Sequence, residues 1–361
     1  MRITQKEIAR RLGISLITVS RALNGTGYVS GSLKERIHTF ARENNYVPHK
    51  ASQVLVRNKV HRIAVFSSSL PAYFWGDIRK GIEVAAQEIR PFNYDVHYYT
   101  IPESDSESYI RRLSDEIEKG VSALAFVNQR LYDMKQIFQI AEKHDIPYVT
   151  FNVDAPDSNR ICYIGSDYQA GGRLAGELIG KTLQFQNNPK VLIITSNERE
   201  LRFSDAPDIN KDRLSGFLSV TGSFFPNVKI DIQYITTKLQ NGYVDTQITD
   251  LLHSRQGQVS AVYLIAAFNT EFLHALEKLE YSKTITLLHD IDSSAMHHLE
   301  THLLSAVIYQ NPILQGYYTV KTLEHILETN DRSPLQGVEI VSNLILSENR
   351  NFYKNHYTSI S

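Results

Sequence analysis

The sequence predicts a small all-α head with a helix-turn-helix, followed by an α/β body of two doubly wound, Rossmann-like lobes. Residues 4–24 have the spacing of two short helices around a glycine. From Arg62 onward, short apolar runs alternate with helical patterns, which is typical of parallel sheets covered on both faces. There are too many such runs for a single sheet, so we expect two lobes.

The first helix of the head is expected to begin after Thr4, because Thr4 and Glu7 have the spacing of a capping box. Gly13 then provides the permissive backbone of a tight turn, and Ser15 is suited to cap a second helix. A third helix should begin near Ser30 or Ser32. Apolar residues at i, i+3 and i+4 of the second helix should face the core, namely Val19, Ala22 and Leu23.

The opposite face of the second helix suits a DNA major groove. Arg21 can form paired hydrogen bonds with N7 and O6 of guanine, and small hydroxyls can reach phosphates or bases. Leu16 and Ile17 are apolar where a solvated helix would be polar, and thymine methyl groups would fit them. A plain three-helix bundle with stray surface apolar residues, or a face for another protein, is the alternative.

Charge is distributed unevenly along the chain. Residues 1–59 hold 11 Lys and Arg against 3 Asp and Glu, whereas the remainder holds 27 against 36. This asymmetry favours a polyanion as the partner of the head alone. The single cysteine, Cys162, excludes an intrachain disulfide, and neither a secretory signal nor a membrane-spanning run is evident. A cytoplasmic protein is therefore expected.

The segment TQKEIARRLGISLITVSRALNGTGYVS, followed by Tyr46 and Pro48, resembles the N-terminus of the LacI/GalR family of bacterial transcription regulators. Ile14–Asn24 and Val29–Ser30 carry the family's signature. The resemblance implies a helix-turn-helix DNA-binding domain over residues 1–47 that reads a pseudo-palindromic double-stranded operator. The expected DNA-binding residues are Thr4, Ser15, Leu16, Ile17, Thr18, Ser20, Arg21, Asn24, Tyr28, Ser30, Ala51 and Leu55.

Residues 48–58 are expected to form a linker. Pro48 fits a first helical turn, and Ala51, Val54 and Leu55 give a short apolar edge, but so short a helix is not stable alone in water. The resemblance implies a hinge helix that forms on operator DNA, pairs with its twin in a homodimer and inserts Leu55 into the minor groove. A flexible tether is the alternative.

For residues 59–361 the resemblance implies a periplasmic-binding-protein-like type I body for effector binding and dimerisation. Lobe 1 is expected at about 59–165 and 310–333, and lobe 2 at about 166–309 and 334–361. Expected strands include Tyr148–Phe151 and Lys229–Ile235, and a helix is expected at Ile78–Ile89.

Open α/β sheets bind ligands beyond the carboxyl ends of their strands. Aromatic rings, amides, carboxylates and a guanidinium follow the predicted strands, and together they can bind vicinal hydroxyls and cover the apolar face of a sugar ring. The resemblance favours the branch with monosaccharide- and polyol-binding bodies. Taken singly, an Asp or Asn after a strand is usually a turn residue or helix cap, the role we assign to Asp167. The expected effector-binding residues are Phe74, Trp75, Asn152, Asp154, Lys211, Arg213, Asn269, Asp290 and Gln310.

Two other motifs give no support for catalysis or a metal site. Ala175–Thr182 nearly matches a phosphate-binding loop, but it lacks the first Gly and falls in a helical pattern. His298 and His302 have i, i+4 spacing without the Glu or Cys of a zinc site, so with His297 they are expected to be solvated. No enzyme activity, cofactor or metal is therefore expected.

These observations predict a homodimeric, cytoplasmic DNA-binding regulator, expected to be a repressor, controlled by a monosaccharide or polyol between the lobes. A solute-binding receptor of a sugar transporter would share the body but needs export. A purine-like corepressor, activation instead of repression, and a tetramer remain open.

Overall fold

The computed structural model describes residues 3–24, 29–44, 46, 60–101, 106–129, 131–196, 207–236, 243–281 and 283–356. The chain divides into two compact units, residues 1–60 with 91–93 and residues 61–90 with 94–361. We call residues 1–60 the head and the rest of the chain the body. Among the described residues, no helix has both the length and the apolar character needed to cross a membrane. The predicted hinge helix, residues 48–58, lies outside the described residues.

The head contains helices α1 Gln5–Leu12, α2 Leu16–Asn24 and α3 Gly31–Glu43. The Thr4 hydroxyl accepts a hydrogen bond from the Glu7 amide, and Gly13 ends α1 with a left-handed φ of 66°. The Glu7 carboxylate bonds to Arg10 and Arg11, so only the Thr4 half of the predicted capping box is seen. The three helices share a small core of Ile8, Ala9, Val19, Ala22, Ile37 and Ala41.

The body alternates strands and helices along the chain. Its strands are β1 His61–Ser67, β2 Tyr94–Thr100, β3 Ala123–Phe126, β4 Tyr148–Phe151, β5 Tyr163–Gly165, β6 Lys190–Ser196, β7 Lys229–Ile235, β8 Ala261–Leu264, β9 Ile285–His289, β10 Ala306–Tyr309, β11 Val338–Glu339 and β12 Asn343–Ile345. Its helices are α4 Ala72–Ile89, α5 Ser106–Glu118, α6 Met134–Lys143, α7 Tyr168–Leu183, α8 Ile209–Phe224, α9 Tyr243–Arg255, α10 Asn269–Lys278, α11 Ser293–Glu300, α12 Pro312–Thr329 and α13 Arg350–His356, with a short 3₁₀ turn at Arg90–Phe92.

The strands form two sheets with the same internal order, which confirms two doubly wound lobes. Lobe 1 has the order β11-β5-β4-β3-β1-β2, and lobe 2 has the order β12-β10-β9-β8-β6-β7. Strand pairs are parallel except β10 with β12. Central strands such as β3, β4, β8 and β10 are buried throughout, because helices cover both faces of each sheet.

One lobe boundary differs from the sequence prediction. Residues from 334 onward were expected in lobe 2, but Val338–Glu339 pair in parallel with β5 of lobe 1. The chain therefore enters lobe 2 only after β11, at residues 340–342, and it also crosses between lobes at residues 166–167 and 310–311. A two-residue edge strand is too short to show a periodic sequence pattern.

Candidate nucleic-acid interface and ligand cleft

The helix α2 presents two chemically different faces. Val19 is fully buried, whereas Ile17 is 64% and Leu16 47% exposed, and Arg21 is exposed as well. At the start of the helix the Thr18 amide donates to the Ser15 hydroxyl at 3.1 Å, and the two hydroxyls lie 2.8 Å apart. The outer face therefore combines an exposed guanidinium, two apolar side chains and a pair of hydroxyls.

The remaining predicted DNA contacts are distributed around this helix. Thr4 is the exposed cap of α1, Ser20 is half-buried on α2, and Ser30 is exposed just before α3. Asn24 is the last residue of α2. The side chain of Asn24 and the residues Tyr28, Ala51 and Leu55 lie outside the described residues.

In the body, buried polar side chains collect where the strands end and the chain crosses between lobes. Asn152 follows β4 in lobe 1, while Asp290 and Gln310 follow β9 and β10 in lobe 2. This position at the carboxyl ends is where open α/β sheets bind ligands. The buried polar side chains here are Asn152, Ser166, Arg213, Asn269, Asp290, Gln310 and Gln315, and we call their surroundings the cleft.

Asp290 and Arg213 form the charged part of the cleft. The Asp290 carboxylate accepts a hydrogen bond from Gln310 Nε2 at 2.7 Å and lies 3.8 Å from Arg213 Nη2. Arg213 Nη1 donates to the carbonyl of Ile265 at 3.1 Å. Burial raises the pKa of Asp290, although the positive charge of Arg213 opposes this change. Arg213 Nε and Asp290 Oδ1 are buried without a partner among the described residues.

Asn152 forms the lobe 1 side of the same group. It has a left-handed φ of 59°, and its Nδ2 donates to Gln315 Oε1 at 3.2 Å. The Asn152 carbonyl accepts hydrogen bonds from the hydroxyls of Tyr163, at 2.7 Å, and Tyr168, at 2.5 Å. The Tyr168 ring in turn lies 5.5 Å from the guanidinium of Arg213.

Phe74 and Trp75 lie in the first turn of α4, which begins at Ala72 and not at the predicted Ile78. Both rings are buried and in edge contact, and Trp75 also packs edge-on against Phe151 beside Asn152. The Trp75 indole N–H donates to the Leu70 carbonyl at 2.7 Å, so this pair offers an apolar wall instead of a hydrogen-bond donor.

Three other predicted effector contacts differ in their surroundings: Asp154 and Asn269 make hydrogen bonds within the protein, and Lys211 is exposed. The Asp154 carboxylate accepts from Thr150 and from the Ala155 amide and is paired with Arg160, so it stabilises the loop after β4. Lys211 is exposed rather than part of the buried group. The Asn269 amide donates to the carbonyl of His289 at 2.8 Å and holds the end of β9.

Three residues near the cleft were not predicted: Tyr73, Tyr168 and Gln315. Burial raises the pKa of Tyr73, and the negative charges of Asp290 and Asp292 raise it further. Gln315 is fully buried on α12. A glutamine on a buried helix face was the only sequence signal available for it.

Close packing of the α7 and α8 backbones fixes the position of Arg213. A Cβ added to Gly172 of α7 would overlap the carbonyl oxygen of Arg213, and one added to Gly216 of α8 would overlap that of Gln169. Only glycine permits the two helix backbones to approach so closely. The Arg213 side chain is therefore carried by a tightly fixed part of lobe 2.

The two motifs set aside from the sequence have clear structural roles. Ala175–Thr182 lies inside α7, and Asp167 caps this helix by accepting from the Ala170 amide. His298 is buried with its Nδ1 2.7 Å from the Ser294 carbonyl, so the expectation that it is solvated was wrong. His302 lies beyond the end of α11 and does not share a helix face with His298.

Comparison with known families separates the same two parts. Residues 4–49 match the family described as bacterial regulatory proteins, lacI family, and residues 63–331 match the periplasmic binding protein domain. The chain belongs to the periplasmic binding protein domain family and carries a lacI-family domain at its N-terminus. It is 30% identical over 179 residues to the probable HTH-type transcriptional repressor ExuR of Bacillus subtilis, covering 48% of the chain and 50% of that protein. Its alignments span about half the length of the first curated relatives.

Solved structures show the same body. A putative LacI transcriptional regulator from Bacteroides fragilis has a TM-score of 0.70 at 18% identity, covering 82% of this chain and 100% of that one. GanP, a glucose-galactose binding protein from Geobacillus stearothermophilus, has a TM-score of 0.65 at 19% identity, covering 81% and 99%. At these identities the likeness establishes the fold alone, which is the periplasmic-binding-protein type.

Proposed function

We propose that this chain is a sequence-specific DNA-binding transcriptional repressor, controlled by a small sugar or polyol bound between its lobes. One observation carries the proposal: a lacI-family head with an exposed Arg21 face is joined to a body whose cleft buries two polar atoms that have no partner among the described residues. Such a regulator acts in the cytoplasm, where its operator DNA is. The chemistry of each half supports its own part of the proposal.

The α2 face fits a duplex. Arg21 can donate two hydrogen bonds to a guanine edge, while Leu16 and Ile17 can contact thymine methyl groups in the major groove. Lys and Arg elsewhere in residues 1–59 would neutralise phosphates. Two heads of a homodimer would read two half-sites of a pseudo-palindrome.

The cleft fits hydroxyl groups. Arg213 Nε is a buried donor and Asp290 Oδ1 a buried acceptor, and leaving such groups unpaired is costly. A hydroxyl both donates and accepts, so the hydroxyls of one ligand can satisfy both atoms. The buried rings of Phe74 and Trp75 provide the apolar surface that would cover the C–H face of a sugar.

Control of DNA binding follows from the two-lobed site. A ligand that contacts Asn152 in lobe 1 and Asp290 in lobe 2 has different affinities for different lobe arrangements. It therefore shifts their equilibrium by that difference and no more. The linker at residues 48–58 would carry this shift to the operator-binding state of the head.

A pair of substitutions tests both halves of the proposal at once. The operator is first isolated from random duplex with the full chain, and the ligand is found by thermal stabilisation with monosaccharides, polyols, their phosphates and purines. Arg21→Ala should weaken operator binding by about tenfold to hundredfold and leave ligand binding unchanged. Asp290→Ala should abolish the ligand response and leave operator binding intact.

Three outcomes would contradict the proposal. Absence of any preferred duplex would remove the regulator function and favour the solute-binding receptor, which shares the body fold. Stabilisation by a purine alone would replace the sugar as effector. Normal ligand response in the Asp290→Ala chain would place the ligand outside the cleft.

A further inference from the structure

A closed circuit of contacts, two of them to backbone carbonyls, connects the two lobes around the cleft. Starting in lobe 1, it runs through Asn152, Gln315, Gln310, Asp290, Arg213 and Tyr168 and returns to Asn152. Asn152 and Gln315 belong to lobe 1, and Asp290 and Arg213 belong to lobe 2. Gln310 and Tyr168 adjoin the two crossings. A displacement of the residues on one side of this circuit is therefore expected to change the contacts on the other side.

Gln315 is the fully buried member of the circuit. It lies in the first turns of α12, which packs on α4 and against β3 and β4 of lobe 1. Its side chain is 0% exposed, and a buried amide is tolerated only when its donors and acceptor are paired. An apolar residue would fill this buried helix position without that requirement.

The two ends of the Gln315 amide bond to different lobes. Its Oε1 accepts from Asn152 Nδ2 at 3.2 Å. Its Nε2 donates to the Gln310 carbonyl at 2.9 Å and lies 3.5 Å from Gln310 Oε1. The Gln310 amide then donates to Asp290 at 2.7 Å, and the Ser166 hydroxyl donates to the same Gln310 carbonyl at 3.2 Å. The Gln315 side chain thus bonds directly to Asn152 and Gln310, and through Gln310 it is connected to Ser166 and Asp290.

We propose that Gln315 is a positioning residue that couples the lobe 1 and lobe 2 halves of the cleft. It holds Asn152 and Gln310 in a fixed relation, and through Gln310 it orients the Asp290 carboxylate. Its role as part of a ligand site rests on the proposed function, whereas the coupling itself does not need a ligand. Gln315 bonds to Asn152 and Gln310, and it acts on Asp290 only through Gln310.

The coupling predicts an effect that crosses between lobes. The backbone N–H of Asn152 donates to the Ile164 carbonyl in lobe 1, and the backbone N–H of Asp290 donates to the Ile308 carbonyl in lobe 2. Loss of the Gln315 side-chain amide should make both of these backbone hydrogen bonds open more often. A role confined to packing of α12 would loosen lobe 1 alone.

Amide hydrogen exchange of the full, ligand-free chain tests this coupling. Gln315→Leu and Gln315→Met both remove the amide at similar volume, and the second is available if the first does not fold. Thr319→Val is the matched control, since Thr319 is also fully buried on α12 and its hydroxyl bonds, within the part of the chain that the structure describes, only to the Gln315 backbone carbonyl. We expect exchange of residues 289–291 to rise by about threefold to tenfold in either Gln315 variant and to stay native in Thr319→Val.

Native exchange at residues 289–291 in both Gln315 variants would overturn the proposal, and so would an equal rise in Thr319→Val. A parallel titration with D-glucose, D-galactose and D-arabinose follows the emission of Trp75, the only tryptophan of the chain. If none of these sugars binds the native chain while exchange rises as expected, the sugar proposal is weakened and the coupling stands. If a sugar binds, its affinity should fall in the Gln315 variants by about tenfold.

Discussion

At the end of β9, burial favours the neutral forms of two neighbouring side chains, His289 and Asp290. His289 is buried with Nε2 2.6 Å from the Tyr263 hydroxyl, and burial followed by the positive charge of Arg213 lowers its pKa well below the usual 6.5. The pKa of Asp290 is raised for the same primary reason. The buried surroundings of His289 and Asp290 therefore disfavour an additional charged group that has no oppositely charged partner.

The lowered pKa of His289 predicts a loss of stability in mild acid. The unfolded histidine takes up a proton near its usual pKa of 6.5 and the folded one does not, so stability is present above that pH and lost as pH falls. Between pH 7.5 and 5.5 the native chain should lose about 1 kcal/mol more free energy of unfolding than His289→Gln. Urea unfolding at both pH values measures this difference, and parallel pH profiles would contradict it.

At the scale of elements, both lobes use glycine to bring two helices into backbone contact. In lobe 2 the pair is Gly172 of α7 and Gly216 of α8, and in lobe 1 the pair is Gly81 of α4 and Gly316 of α12. Each contact lies beside a cleft residue, since Arg213 precedes Gly216 by one turn and Gln315 directly precedes Gly316. The helix crossings therefore fix the positions of the polar groups as well as the core.

Substitution of Gly172 by alanine should disturb the cleft through this crossing. The added methyl would overlap the Arg213 carbonyl, so α8 must move, with a loss of about 1–3 kcal/mol in stability and weaker ligand binding. Gly222 of α8 is the control, because a Cβ there meets nothing within 4 Å and alanine should be neutral or stabilising. Thermal unfolding with and without ligand compares the two, and equal effects would show that the crossing is not tight.

The sequence predicted strands whose apolar pattern is complete and missed strands that exist only through pairing with distant parts of the chain. Tyr148–Phe151 and Lys229–Ile235 were predicted with the observed bounds, because their apolar patterns are complete. β5, β11 and β12 are two or three residues long and exist only through pairing with other strands. Likewise the Gln315 side chain bonds to Asn152, which is 163 residues away, and the Asp154 carboxylate is paired with nearby Arg160. Residue type alone does not show which partner a polar side chain will bond to.

At the scale of the whole molecule, opposite charges separate two binding tasks. The head carries an excess of Lys and Arg, and the remainder of the chain carries an excess of Asp and Glu. A polyanion is therefore attracted to the head and repelled by the body. A neutral sugar is indifferent to both. Salt should distinguish the two ligands, since counterion release accompanies binding to phosphates only.

Operator affinity should accordingly fall steeply with salt while sugar affinity stays nearly constant. From 50 to 200 mM salt we expect a loss of about 10³ to 10⁵ in operator affinity for roughly six to ten phosphate contacts. Anisotropy of a labelled operator and Trp75 emission would follow the two ligands. Arg21→Ala should lower operator affinity at every salt concentration and keep the native slope, because a contact to a base edge specifies sequence while phosphate contacts set the slope. A shallower slope in that variant would mean that Arg21 binds the backbone and that another residue reads the guanine.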